Sequence, residues 1–234
     1  MLPERFDVSG SAGDGGHVTS TSLGRGTGGM AAQEMPLIHR IFRRELRSLR
    51  RIVGDVPPTA GERARSVAGH LAFVLDGLHH HHTTEDEMLW PILRERAPSH
   101  AADLDLLESQ HQKIDPLIDA ASDRSQTRER RASVLAELHA LINQHLDDEE
   151  RIALPLLREH ITSQEWQTVG NQAEAKMSGL QRKIAYGHSA VEANPAELAE
   201  LMAMLPFPVR LILKYSYMPY ARRRNRALYR SGAG

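Results

Sequence analysis

The sequence predicts an all-α protein: an antiparallel up-down four-helix bundle followed by a C-terminal helical extension. Three observations predict it. Four segments between residues 35 and 160 carry apolar residues at alternating spacings of three and four, the period of a helix with one buried face. Short Pro-, Gly- or Ser-containing runs (GDVPP, APS, SDRSQT) separate these segments. A motif also repeats, with a His, a Glu four residues later and a Pro six residues after that Glu. It occurs as His81, Glu85 and Pro91, and again as His145, Glu149 and Pro155.

Residues 1–33 hold eight of the seventeen glycines and little that could form an apolar face, so they are expected to be a disordered tail. From about Pro36, a residue suited to a first helical turn, Met35, His39, Phe42, Leu46, Leu49 and Val53 form one stripe. The second helix is expected over about residues 61–96, with the seam Leu71, Val74, Leu78, His81, Glu85, Met88 and Ile92. His79 and His80 are expected to face solvent, and His82 borders the seam as a further ligand or a support for one. The third helix spans about 101–121, on Leu104, Leu107, His111, Ile114, Ile118 and Ala121. The fourth spans about 128–160, on Leu135, Leu138, Ile142, His145, Glu149, Ile152 and Leu156.

After residue 161 the Thr162–Glu165 stretch reads as a helix start, with a helix to about residue 187 and a shorter one from Asn194-Pro195 to Leu205. Residues 206–234 hold seven Lys or Arg and no Asp or Glu. Against a net charge of −1 for the whole chain, that leaves −8 on residues 1–205. The favoured reading of the tail is a helix packed on an acidic bundle with solvated arginines; the weaker one is contact with nucleic acid or an anionic membrane. The domain division is thus 1–33, 34–161 and 162–234.

The polar residues on the seams carry the chemistry. Residues four apart share a helix face, so each repeat presents an imidazole and a carboxylate together. Burying Glu85 or Glu149 without a cation would be costly. His39 and His111 each place a further imidazole on the neighbouring seams. Alternation of direction makes the second and fourth helices parallel, which sets the two His-Glu pairs side by side. Four imidazoles and two carboxylates form a mixed nitrogen and oxygen set that suits iron, manganese or zinc. Two bridging carboxylates leave a pair of divalent ions in positive excess, which an oxo or hydroxo bridge would relieve. The short ligand count leaves positions open to O2, peroxide or NO. Asp115, one turn after His111, reads as a flanking residue.

The chain has no cysteine, which excludes disulfides, thiolate metal sites and thiol nucleophiles. No apolar run approaches transmembrane length and no basic-then-apolar leader opens the sequence, so a cytoplasmic location is expected. No phosphate loop, DNA-reading motif or nucleophile elbow is present, and no nucleic-acid partner is expected.

His39, the His81-x-x-x-Glu85 motif, His111 and the His145-x-x-x-Glu149 motif resemble the hemerythrin-like, or HHE cation-binding, family, over about residues 35–160. The resemblance implies a four-helix bundle holding two iron ions, oxo- or hydroxo-bridged and without haem, that meet O2, peroxide or NO; manganese or zinc are the lesser alternatives. The oxygen-carrying hemerythrins have His-x-x-x-His on the third helix and His-x-x-x-x-Asp on the fourth. Here Asp115 stands where the second His of that third-helix pair would be, and the fourth helix offers His-x-x-x-Glu. The pattern is more similar to bacterial hemerythrin-like proteins linked to peroxide or nitric-oxide handling, and to the iron-sensing domain of a eukaryotic F-box protein. The last 70 or so residues resemble the extension of actinobacterial members. The implied functions are peroxide or NO detoxification, with catalase-like turnover as one form. The alternatives are an iron-, oxygen- or redox-sensing interaction module without turnover, and metals that only hold the bundle together.

Overall fold

The computed structural model describes residues 31–229. Residues 1–30 of the expected tail and residues 230–234 lie outside the described residues. Four long helices and a set of shorter ones follow the chain, and there is no strand among the described residues.

Helix α1 (Ala31–Asp55) starts earlier than expected, so Pro36 lies inside it rather than at its first turn. It stops before Pro57 and Pro58, and a single 3-10 turn leads to Gly61. Gly61 has φ 57°, a left-handed conformation in which a Cβ is costly, and it starts α2 (Glu62–Thr84). The helix continues without a break through a π-helical turn (Glu85–Leu89) into α3 (Trp90–Arg96). A Pro98–His100 turn leads to α4 (Ala101–Ser122), and α5 (Arg128–His160) follows, its first turn capped by the Thr127 hydroxyl, which accepts from Arg130 N at 3.2 Å.

The cross-helix contacts set the directions. Arg43 donates to Asp147 and Glu150 while His39 meets Glu150, so α1 and α5 are antiparallel. Asp86 pairs with His111 and His79 with Asp115, which makes α2–α3 antiparallel to α4.

The seams of α1, α4 and α5 face inward as their spacing predicts, with Phe42 only half-buried. The second helix departs from its predicted seam after Glu85. Met88 and Ile92 are half-buried, whereas Leu89, Trp90 and Leu93 are sealed in the core. The π turn accounts for this: one extra residue per turn shifts every later side chain by one place. His80 is half-buried under the extension, where its Nε2 meets Ala173 O at 3.1 Å, and only His79 is exposed as expected.

Two apolar clusters fill the bundle. One gathers Leu46, Leu75, Ile114, Leu138 and their neighbours. The other gathers Met35, Trp90, Leu93, Leu104 and Leu157. On every long helix the residues between the two clusters are the polar ones, so His39, His82, Glu85, His111, His145 and Glu149 form a buried layer between apolar slabs.

The single helix expected after Thr162 is two, α6 (Ser163–Ala175) and α7 (Gly179–Glu192). The break is chemical: Ser178 and Gln181 form a second capping box after that of Thr162 and Glu165. Then come α8 (Pro195–Met204), capped by Asn194, and α9 (Phe207–Ile212), which continues through a π turn (Leu213–Tyr217) into α10 (Met218–Tyr229). Gly187 permits the contact of α7 with this last helix: a Cβ there would sit 2.7 Å from Tyr217 O.

A polar clamp ties this extension to the bundle. Glu45 of α1, 1% exposed, accepts from His70 Nε2 of α2 at 2.8 Å and from the Tyr229 hydroxyl of α10, pairs with Arg44, and faces His188 Nδ1 of α7 at 3.4 Å. Arg224 donates to His70 Nδ1 at 3.1 Å. Burial would raise the Glu45 carboxyl, but His188, His70 and Arg44 together hold it far below the usual range. Arg40 to Glu197 at 2.7 Å, Arg44 to Glu192 and Arg96 to Glu165 at 2.6 Å complete the docking.

Candidate metal centre

Each residue of the polar layer is aimed inward by its place on a helix. His81 and His82 are about 100° apart on α2, so they face different neighbours. The His81 ring lies 5.4 Å from that of His39 and 5.5 Å from Phe42, both on α1. The His82 ring stacks on His111 of α4 at 4.2 Å and meets His145 of α5 edge-on at 5.0 Å.

Two groups of donor atoms result. One atom each from His39, His81, Glu85 and Glu149 lie within 4.8 Å of one another. One atom each from His82, His111 and His145 do the same. The two carboxylates reach both groups. Glu149 Oε2 is 3.5 Å from His39 Nε2 and 3.4 Å from His145 Nε2. Glu85 is 3.1 Å from His81 Nε2 and 3.7 Å from His111 Nε2.

Most of the atoms at the centre have no hydrogen-bond partner. His39 Nε2, His81 Nε2, both ring nitrogens of His82 and all four oxygens of Glu85 and Glu149 are buried and unpaired. Each such group costs about 1–3 kcal/mol if nothing answers it. Orphaned donors on five neighbouring residues of one buried layer are what a cation site looks like, and imidazole with carboxylate is the donor set of a borderline first-row ion.

The far sides of three rings are held. Glu150 accepts from His39 Nδ1 at 3.0 Å and is itself fixed by Arg43 at 2.7 Å. Asp86 accepts from His111 Nδ1 at 2.8 Å. Gln110 Oε1 accepts from His145 Nδ1 at 2.9 Å while its amide donates to Asp148 at 2.9 Å. A proton held on Nδ1 leaves the Nε2 lone pair directed at the centre. Accordingly His111 Nε2 and His145 Nε2 converge to 3.1 Å.

Burial favours the neutral forms of His81, His82 and His145. Burial lowers His81 to about 3, helped by His39, His145 and His111 and opposed by Glu149. His82 is pushed well down by burial and then by His111 and His145. The two carboxyls diverge. Burial and then the Glu149 charge raise Glu85. Burial would raise Glu149 as well, but His39, His145 and His81 hold it low.

The family model of the hemerythrin HHE cation-binding domain matches residues 30–157. The chain belongs to this family. Hemerythrin domains bind metal ions, typically iron, and the buried layer lies wholly within the matched segment. No curated protein and no solved structure matches the chain.

All six residues singled out in the sequence, His39, His81, Glu85, His111, His145 and Glu149, meet in the hemerythrin bundle. His82 joins them as a seventh; its signal was its place at the border of a seam whose register then shifts. Asp115 stays away, on the surface, 3.3 Å from His79. Asp86, Gln110 and Glu150, which hold the rings from behind, had no sequence signal beyond adjacency to the inward residues.

Proposed function

We propose that the layer holds two iron ions and that the protein meets O2, hydrogen peroxide or nitric oxide there, as a detoxifying or stress-response protein. The observation that carries this reading is the gathering of seven His and Glu side chains into two adjoining donor groups, with buried nitrogen and oxygen atoms that lack a hydrogen-bond partner, in a hemerythrin domain. His39 and His81 would hold one ion and His82, His111 and His145 the other, with Glu85 and Glu149 within reach of both groups. Iron supplies redox chemistry and an affinity for diatomic ligands that no side chain has. The chain orients the imidazoles, favours the neutral forms of His81, His82 and His145, and would wall the ions off in low dielectric.

The two groups of donors are unequal: the one with His39 and His81 would offer its ion one imidazole fewer than the one with His82, His111 and His145, which would leave room for an incoming ligand. His81 is also the most exposed imidazole of the layer, its side chain 14% exposed, so a path for small molecules would pass beside it. The test is peroxide consumption by iron-loaded protein, with His81→Ala and His82→Ala compared. Steady consumption that both substitutions abolish supports the reading; loaded protein that leaves peroxide and NO untouched refutes it.

One observation favours a second reading, a redox or iron sensor without turnover. Glu45, the centre of the clamp that docks the extension, lies on the same helix as His39, less than two turns away. A change at the metals that moves α1 would be felt by α7 and α10. Metal-dependent protease sensitivity of the extension would separate this reading from the first.

A further inference from the structure

We propose that the outer face of the α9–α10 helix is a docking surface for an anionic lipid bilayer. Phe207, Leu211 and Tyr215 recur every four residues and form one stripe, widened by Ile212. These are large side chains turned outward: Phe207 is 70% exposed, Tyr215 68%, Ile212 48% and Leu211 40%.

The outward turn is fixed by packing. The opposite face of the same helix buries Leu213 and Met218 against the core of the extension, and Leu228 against the core of the bundle. The near-contact of Tyr217 O with Gly187 and the clamp of Tyr229 on Glu45 hold it in that rotation. The stripe therefore cannot roll inward without breaking both.

Charge selects the occupant. Residues 206–229 contain no acidic residue. Lys214, Arg222, Arg223 and Arg226 are exposed along the helix that bears the stripe, and Lys214 Nζ lies 5.4 Å from the Tyr215 ring. Apolar side chains with lysine and arginine beside them suit the boundary between acyl chains and anionic headgroups. A nucleic acid would engage the arginines and leave the aliphatic stripe in water. A second copy of this chain joined through the same face would set its cations against their own symmetry mates. The structure thus fits a peripheral attachment, and no helix among the described residues is long and apolar enough to cross a membrane.

The proposal is independent of the metal reading. Its test is co-sedimentation of the full chain with vesicles of phosphatidylglycerol and phosphatidylcholine, against vesicles of phosphatidylcholine alone. The expected result is partition onto the anionic vesicles roughly tenfold above the zwitterionic ones, falling as salt rises. Leu211→Glu removes it, and Tyr215→Ser, a milder change at an exposed position, weakens it, with helical content and iron content those of the unsubstituted chain. Arg222→Glu with Arg223→Glu removes the preference for anionic lipid. Absence of anionic partition, or equal partition by Leu211→Glu, overturns the proposal. So does a soluble dimer that Leu211→Glu dissociates while no vesicle is bound.

Discussion

Glu45→Ala should release the extension while leaving the metal layer in place. The carboxylate is nearly sealed from water and joins four elements: α1, α2 through His70, α7 through His188 and α10 through Tyr229. Its removal leaves His70 and the Tyr229 hydroxyl without their shared acceptor, with Arg224 beside them, while Arg44 keeps only Glu192. Breaking a buried charged network from one side costs about 3–5 kcal/mol. For a chain of this size each kcal/mol moves Tm by about 2–4 °C, so a fall of roughly 6–20 °C is expected. Glu45→Gln should fall less, because an amide oxygen can still accept from His70 or Tyr229. The assay is thermal unfolding alongside limited proteolysis, with iron content measured on the same samples. Cleavage should move into α7–α10, and iron content should stay unchanged. A Tm within about 2 °C of the unsubstituted protein, or a loss of iron equal to the loss of stability, would refute the account of the clamp.

Gly187→Val should also loosen the extension, by about 1–3 kcal/mol, since its branched side chain must displace Tyr217 or Ala221; an unchanged melting curve would contradict the contact. Glu149→Ala should lower iron content and Tm together, and iron content equal to the unsubstituted protein would remove it from the ligand set. Asp86→Ala should weaken iron retention against a chelator by roughly 10–100-fold through His111, with the fold intact, whereas retention at the original level would deny it that role. Metal-free protein should lose stability as pH falls from about 6.5. His81 drops from 6.5 unfolded to about 3 folded, so the unfolded chain binds more protons across that window. His82 and His145 act with the same sign. Glu85, raised by burial, acts with the opposite sign above 4.5 and is outweighed by the three imidazoles. A Tm that stays flat or rises as the solution is taken from about pH 7 to about pH 5, through the ordinary titration range of histidine, would contradict this.

The bundle was legible wherever burial alone decides the seam. Leu104 to Ala121 and Leu135 to Leu156 face inward residue for residue, because an unbroken α-helix carries its period without drift. The second helix was legible only as far as Glu85. A π turn leaves no mark in composition, so the shift that buries Leu89 and Leu93 in place of Met88 and Ile92 could not be read. The same helix explains why His82 stood at the margin. It faces α4 and α5 while His81 faces α1, and a single seam cannot describe a helix with two polar contacts. The clamp was invisible for a different reason. Glu45, His70, His188 and Tyr229 are distant in sequence, and each by itself reads as a surface residue. The capping box at Ser178 and Gln181, which divides α6 from α7, was present in the letters, as the one at Thr162 and Glu165 was.

We propose that seven side chains of the polar layer, six buried and His81 half-buried, hold two iron ions. Metal analysis with an optical spectrum of protein from iron-replete cells, before and after peroxide, tests it most directly. About two irons per chain and near-ultraviolet bands that change on adding peroxide are expected, with His82→Ala losing roughly half of the iron. Zinc in place of iron, a single ion per chain, or a spectrum indifferent to peroxide would contradict it.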